Sequence, residues 1–374
     1  VTSVPSVRPT LNLLGAGAAA YFVMGVLQPI YGPLFPFFQQ RFGVSTASVG
    51  IIASAHFLGS AAAPPLAGVL LRRLSTRRVV VGSLILLALG AVLVGLAPLW
   101  ALAVAGAVVA GLGMGGVSAA LNAVFASVGT RAINFVNAVF AAASILAPLI
   151  AVGLAPLGLA WPFVLIASLS LLTLLAAKVW GLPELPPARP QDGGRGLARS
   201  LALFVPMLVC YVGLEVGFGA WGIKHLQGVG FGSAALAVSL YWGGFTLGRA
   251  LTSAFGGRFR PDRLVLVSAV LSALVALAAS VPALAPLAYP LVGLTLGPLF
   301  GSVLVWSAGV LPVRLLPFLL VSGSVGGILV PWLIGLAFAR SGPQAVPVFL
   351  AALGAVLVAL VVLTRRVLRV SPAA

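Results

Sequence analysis

Apolar runs of roughly 20 residues follow one another almost from end to end of this sequence, broken only by short polar or Pro/Gly segments. A bilayer core about 30 Å thick is crossed by a helix of about 20 apolar residues, so these runs call for membrane-spanning helices. Of the 374 residues, 61% are hydrophobic and 7% charged. A soluble globular chain averages about 25% charged residues, which excludes water as the solvent for most of this one.

The breaks predict helices over 11–37, 46–71, 78–97, 99–128, 132–156, 159–181, 200–223, 232–256, 263–281, 284–309, 313–339 and 343–364. Twelve helices bring both ends of the chain to one side, and the basic residues test that count, because cytoplasmic loops are enriched in Lys and Arg. One side receives Arg8, Arg72, Arg73, Arg77, Arg78, Arg131, Lys178, Arg189, Arg195, Arg199, Arg249, Arg258, Arg260, Arg263, Arg314, Arg365, Arg366 and Arg369. The other receives Arg41, Lys224 and Arg340. The bias predicts a multi-pass protein of the inner (plasma) membrane with both termini cytoplasmic. It also accounts for the net charge of +17 as topology rather than affinity for nucleic acid. The polar start, VTSVPSVRPT, leads into a long helix, so no cleavable signal is expected and the first helix directs insertion. Cys210 sits alone within an apolar run and reads as packing.

The stretch 182–199, LPELPPARPQDGGRGLAR, is rich in Pro, Gly and Arg and divides the helices six and six. It predicts a bundle over 1–181, a cytoplasmic linker over 182–199 and a second bundle over 200–374. The halves echo one another. Leu58, Gly59 and Gly68 of helix 2 match Leu247, Gly248 and Gly257 of helix 8, and Pro148 of helix 5 matches Pro331 of helix 11. The run from Gly111 in helix 4 matches that from Gly293 in helix 10. The fold class expected is an all-α membrane protein of about twelve transmembrane helices in two pseudo-symmetric six-helix bundles.

This organisation resembles the major facilitator superfamily over essentially the whole chain. The superfamily's loop signature after helix 2 is degraded here, with Arg72 where an Asp is usual, so a latch built on that Asp is in doubt. The sequence from Tyr211 through Gly213, Glu215 and Gly219 to Trp221 is similar to the helix 7 pattern of the fucose-permease-like sugar transporters. Trp242, Gly243, Gly244, Thr246, Gly248 and Arg249 resemble that group's helix 8, and Ala120, Leu121 and Asn122 its helix 4. Ser118 and Asn137 stand where relatives carry an acid and a His, which puts a proton site in the first half in doubt.

Four acids occur, Glu184, Asp192, Glu215 and Asp262, and by the helix map Glu215 is the one within the membrane. A carboxylate at that depth costs at least about 2.5–3.5 kcal/mol and is ordinarily retained for a cavity, a substrate or an ion. Glu215 is accordingly the candidate for coupling-ion and substrate binding. Packing through a hydrogen bond is its structural alternative. Tyr211 lies one turn away, while Trp221, six residues on, would share that face if Gly217 and Gly219 break helix 7. Sugar recognition calls for amides, hydroxyls and aromatic faces, which adds Gln28, Tyr31, Asn122, Asn134, Asn137, Trp242 and Trp306 to Tyr211, Glu215 and Trp221. Each could instead join helices or anchor at the interface, and His56 reads as a packed polar residue.

No phosphate loop, metal-ligand cluster or catalytic pair is present, so the chain is expected to be no enzyme and to use no cofactor or metal. The expected function is secondary transport of a small polar solute, a monosaccharide, by alternating access with proton or sodium coupling. The expected partners are that small-molecule substrate and the lipid bilayer, not nucleic acid, with the monomer as the working unit. A multidrug or lipophilic-solute exporter of the same superfamily is the alternative, and a non-transporting membrane receptor a further one.

Overall fold

The computed structural model describes residues 11–71, 73–128, 130–180, 198–311 and 316–370. These contain the α-helices α1 (Leu11–Ile30), α2 (Phe35–Phe42), α3 (Thr46–Val49), α4 (Ile51–Leu70), α5 (Thr76–Leu96), α6 (Trp100–Val128) and α7 (Thr130–Leu154). The remainder are α8 (Ala160–Trp180), α9 (Ala198–Gly228), α10 (Ala234–Phe255), α11 (Pro261–Ala278), α12 (Ala285–Ala308), α13 (Leu316–Ser341) and α14 (Ala345–Val370). The expected linker lies almost wholly outside the described residues.

Among the described residues, eleven helical spans are long and apolar enough to cross a membrane. The twelfth expected span, α10, has 22 residues and is not among them. Its sequence explains why: Tyr241, Trp242, Thr246 and above all Arg249 lie within it. Arg249, read from sequence as part of the basic rim, is therefore inside a helix, six residues before its end. Large apolar side chains such as Leu172, Leu175, Leu274 and Leu277 are more than half exposed on the helix exteriors, as lipid-facing residues are.

The first expected helix stops early. Pro29 lies at the end of α1, a turn follows in which Leu34 N–H donates to Tyr31 O, and Pro36 opens the separate α2. Gly43, at φ 64°, ends α2 in the left-handed conformation that glycine adopts without a Cβ penalty.

The chain divides into two compact units, one of Val1–Val44 and Ile51–Pro190 and the other of Ser45–Gly50 and Gln191–Ala374. Each has the same internal plan. In the first, α4 and α5 pack on α6, α1 packs on α7 and α8, and α5 packs on α8. In the second, α10 and α11 pack on α12, α9 packs on α13 and α14, and α11 packs on α14. Four of the matched glycines make close crossings, whereas Gly68 and Gly257 meet nothing within 4 Å. A methyl group at Gly59 would strike the Val108 carbonyl and one at Gly111 the His56 carbonyl. Likewise, one at Gly248 would strike the Leu294 carbonyl and one at Gly293 the Tyr241 carbonyl. Small residues in membrane helices let backbones approach to this distance.

Helix α9 runs unbroken for 31 residues, so the break expected at Gly217 and Gly219 does not occur. Those glycines serve packing instead. Gly213 and Gly217 lie against Val330 and Leu350 side chains from α13 and α14, and Gly219 and Gly222 admit the rings of Trp242 and Tyr289.

Candidate functional site

Within the second unit, Tyr211 and Glu215 stand one turn apart on α9, both buried. The Tyr211 hydroxyl accepts from Arg249 Nη2 at 3.3 Å and lies within electrostatic reach of the Glu215 carboxyl one turn along the same helix. A phenol has one donor and free lone pairs, so a single hydroxyl can join a carboxylate to a guanidinium. The Arg249 guanidinium lies 4.3 Å from the Phe245 ring centroid and 5.8 Å from that of Phe300 on α12, within cation–π range. Tyr211 and Phe300 are themselves 5.8 Å apart, centroid to centroid.

From α10, the Tyr241 hydroxyl donates to the Glu215 main-chain oxygen at 2.9 Å. Trp242 lies beside it, its ring edge-on to Tyr241 at 5.1 Å and to Phe245 at 5.6 Å, in the space left by Gly219. Its indole Nε1 is buried with no hydrogen-bond partner. A buried donor left unpaired costs about 1–3 kcal/mol, and a solute acceptor is one group that would relieve it. One acid, one arginine, two tyrosine hydroxyls and a free indole donor are thus gathered between apolar rings.

Tyr211, Glu215 and Trp242 are the expected residues that the structure brings together. Trp221 is elsewhere in the packing: it is fully buried, its Nε1 donates to Pro331 O at 2.9 Å, and its ring lies 5.5 Å from that of Phe338. This enclosure makes it a helix-joining residue on the unbroken α9. Trp306 is half-buried, edge-on to Phe204 at 5.3 Å, nearly two turns below Tyr211 along α9. Arg249, Tyr241 and Phe300 belong to the cluster but were not singled out as site residues. For Arg249 the signal was its spacing, since Trp242, Phe245 and Arg249 fall at i, i+3 and i+7 on one helical face.

The first unit carries a smaller, uncharged group. Tyr21 Oη donates to Asn122 Oδ1 at 2.6 Å, and Asn122 Nδ2 donates to Ser118 Oγ at 3.1 Å, with the Asn122 side chain still exposed. Asn134 and Asn137 are exposed on α7, and Asn137 Nδ2 returns to the Ile133 carbonyl of its own helix. Gln28 is half-buried. Tyr31 is buried apart from this group, 5.0 Å from the His56 ring and 6.0 Å from that of Phe163, with no partner for its hydroxyl. Among the described residues no three His, Cys, Asp or Glu side chains converge as metal ligands.

Two helical units of one plan, built from helices long and apolar enough to cross a membrane, define a multi-pass membrane protein. The sequence profile of the Major Facilitator Superfamily matches residues 17–317, and the chain belongs to that superfamily.

Solved structures agree on the fold. The nucleoside transporter NupG superposes with a TM-score of 0.74 at 15% identity, covering 95% of this chain and 98% of that one. The transporter FucP in its outward conformation gives 0.66 at 20%, covering 94% and 98%. A POT family transporter, PepTSo, gives 0.77 at 11%, covering 96% and 98%. No curated protein matches by sequence.

Proposed function

We propose that this chain moves a monosaccharide-sized hydroxylated solute by alternating access, coupled to proton movement through Glu215. The observation that carries the proposal is the buried cluster around that carboxyl. Glu215 and Tyr211 can exchange hydrogen bonds with hydroxyls, Trp242 holds out an unpaired donor, and Tyr211, Phe245, Phe300 and Trp242 supply ring faces for the apolar side of a sugar. A protonatable group wired to the same hydroxyl that would meet the solute gives proton and solute a shared partner.

The likeness to the fucose:proton symporter FucP and to the nucleoside transporter NupG supports the same reading, since both solutes carry a hydroxylated ring. In the first unit Asn122, held by Tyr21 and Ser118, offers an exposed amide as a further polar contact. With Arg249 set inside its helix, the distribution of the other basic residues, 17 to one side and 3 to the other, supports an inner-membrane protein with both termini cytoplasmic.

The test is counterflow in proteoliposomes with labelled hexoses, deoxyhexoses and nucleosides, which needs no knowledge of the coupling ion. Saturable exchange of one of these is the expected result. A blank panel from protein that exchanges lipophilic solutes would replace the sugar reading with the exporter.

A further inference from the structure

An uncompensated charge buried between helices is strongly destabilising, so an ionised Glu215 needs a cation within reach. Helix α9 packs against α10, α12, α13 and α14. The titratable groups that interact with Glu215 are Tyr211 on its own helix and Tyr241 and Arg249 from α10. On α12, Tyr289 is bonded to His225 at 3.1 Å, nearly three turns beyond Glu215. Lys224, on α9 itself, lies over the Phe338 ring. Arg340 on α13 and Arg365 and Arg366 on α14 sit in the last turns of their helices, and Arg365 is engaged by Asp262 at 2.9 Å. That leaves Arg249.

Arg249 and Glu215 do not meet as a direct ion pair. Among the described residues the ion pairs closer than 4.0 Å are those of Asp262 with Arg260 and Arg365. The Tyr211 hydroxyl, one turn along α9 from the carboxyl, accepts from the guanidinium, and Phe245 and Phe300 keep the guanidinium in place by its faces rather than by a carboxylate. A proton on Glu215 would therefore neutralise it without tearing apart a bidentate bridge.

Resting on the assignment of Glu215 as the working carboxyl, we infer that Arg249 is its counter-charge, acting through the Tyr211 hydroxyl and governing whether the carboxyl holds its proton. The balance is simple: the carboxylate gains or loses one proton, and the guanidinium stays charged throughout. Arg249 is thus a positioning residue for proton coupling, on the helix that also brings Tyr241 and Trp242 to the cluster.

The test needs no solute. The chain contains two glutamates, Glu184 and Glu215. Isotope-labelled glutamate in the purified full-length protein in lipid vesicles gives a protonated-carboxyl infrared band that is assigned to Glu215 by its loss in Glu215→Gln. At a fixed pH where the unchanged protein is partly ionised, Arg249→Leu raises the ratio of protonated to ionised Glu215 about tenfold or more, the effect of removing an opposite charge nearby. Arg249→Lys leaves the ratio close to its original value. An unchanged band in folded Arg249→Leu overturns the inference, because a purely structural role would not move it.

If Arg249→Leu does not yield monodisperse protein, Arg249→Gln and the double variant Glu215→Gln/Arg249→Gln are compared by thermal unfolding in the same vesicles. Recovery of the lost melting temperature in the double variant supports the pair, and no recovery refutes it. A blank sugar panel leaves either result standing, and a flat infrared result leaves sugar exchange standing, so the two proposals fail separately.

Discussion

The two units share one helical plan but differ in what they bury. At its first helix the first unit places Tyr21 against the amide of Asn122, and its described residues contain no acid. At its first helix the second unit places Tyr211 against a carboxyl and a guanidinium. Hydrogen-bonded neutral groups in a membrane protein contribute about 0.6 kcal/mol on average, whereas an intramembrane charge is costly enough to be kept only for a purpose. Duplicate architecture has thus been given unequal chemistry, with neutral hydrogen bonds in the first unit and a buried acid and arginine in the second.

The sharpest way to break that contrast is to neutralise each side in turn. Glu215→Gln is expected to reduce gradient-driven accumulation of the solute to background. Survival of accumulation in that variant would remove Glu215 from the account. Asn122→Ala, by contrast, is expected to keep coupling and to weaken the apparent affinity about fivefold, the value of about 1 kcal/mol for one hydrogen bond, as read from the concentration dependence of counterflow.

The shared plan can be tested at its crossings. Gly111→Val in the first unit and Gly293→Val in the second both drive a side chain into a backbone carbonyl. Each is expected to lose about 1–3 kcal/mol of stability, the cost of forcing extra atoms into a packed crossing, by thermal unfolding of the purified protein. A large loss in one and none in the other would mean that the equivalence stops at helix order.

A smaller effect separates Trp242 from Trp221. Trp242→Phe keeps the ring and removes the unpaired donor. It is expected to leave stability unchanged or slightly higher while weakening solute affinity by about 1 kcal/mol. Trp221→Phe breaks the bond to Pro331 O and should act on stability by a similar amount while leaving the affinity unaffected.

Much of this architecture was legible beforehand because the bilayer imposes length and hydropathy on each helix, and those are sums over many residues. The repeat was visible at Gly59, Gly111, Gly248 and Gly293 because only glycine admits a backbone so close. Glu215 stood out because a lone acid in an apolar helix has few structural excuses.

What escaped was geometry that depends on a neighbour. Gly217 and Gly219 were read as a break, yet they make room for Leu350 and the Trp242 ring on an unbroken helix. Trp221 carries the same residue type as Trp242, and only the Pro331 carbonyl across the helix pair shows that its donor is already taken. Arg249 was absorbed into the basic rim because a charge tally assigns sides without asking how deep a residue lies. The split of the first expected helix at Pro29 followed the same pattern, since the apolar run continues while the backbone turns.

The most direct measurement is solute-driven proton movement into proteoliposomes loaded with a pH-sensitive dye, using whichever sugar or nucleoside gives counterflow. The unchanged protein should acidify the lumen when solute is added outside, in step with solute uptake, and Glu215→Gln should show no acidification. Equal acidification by Glu215→Gln would contradict the assignment of coupling to the charged cluster of the second unit.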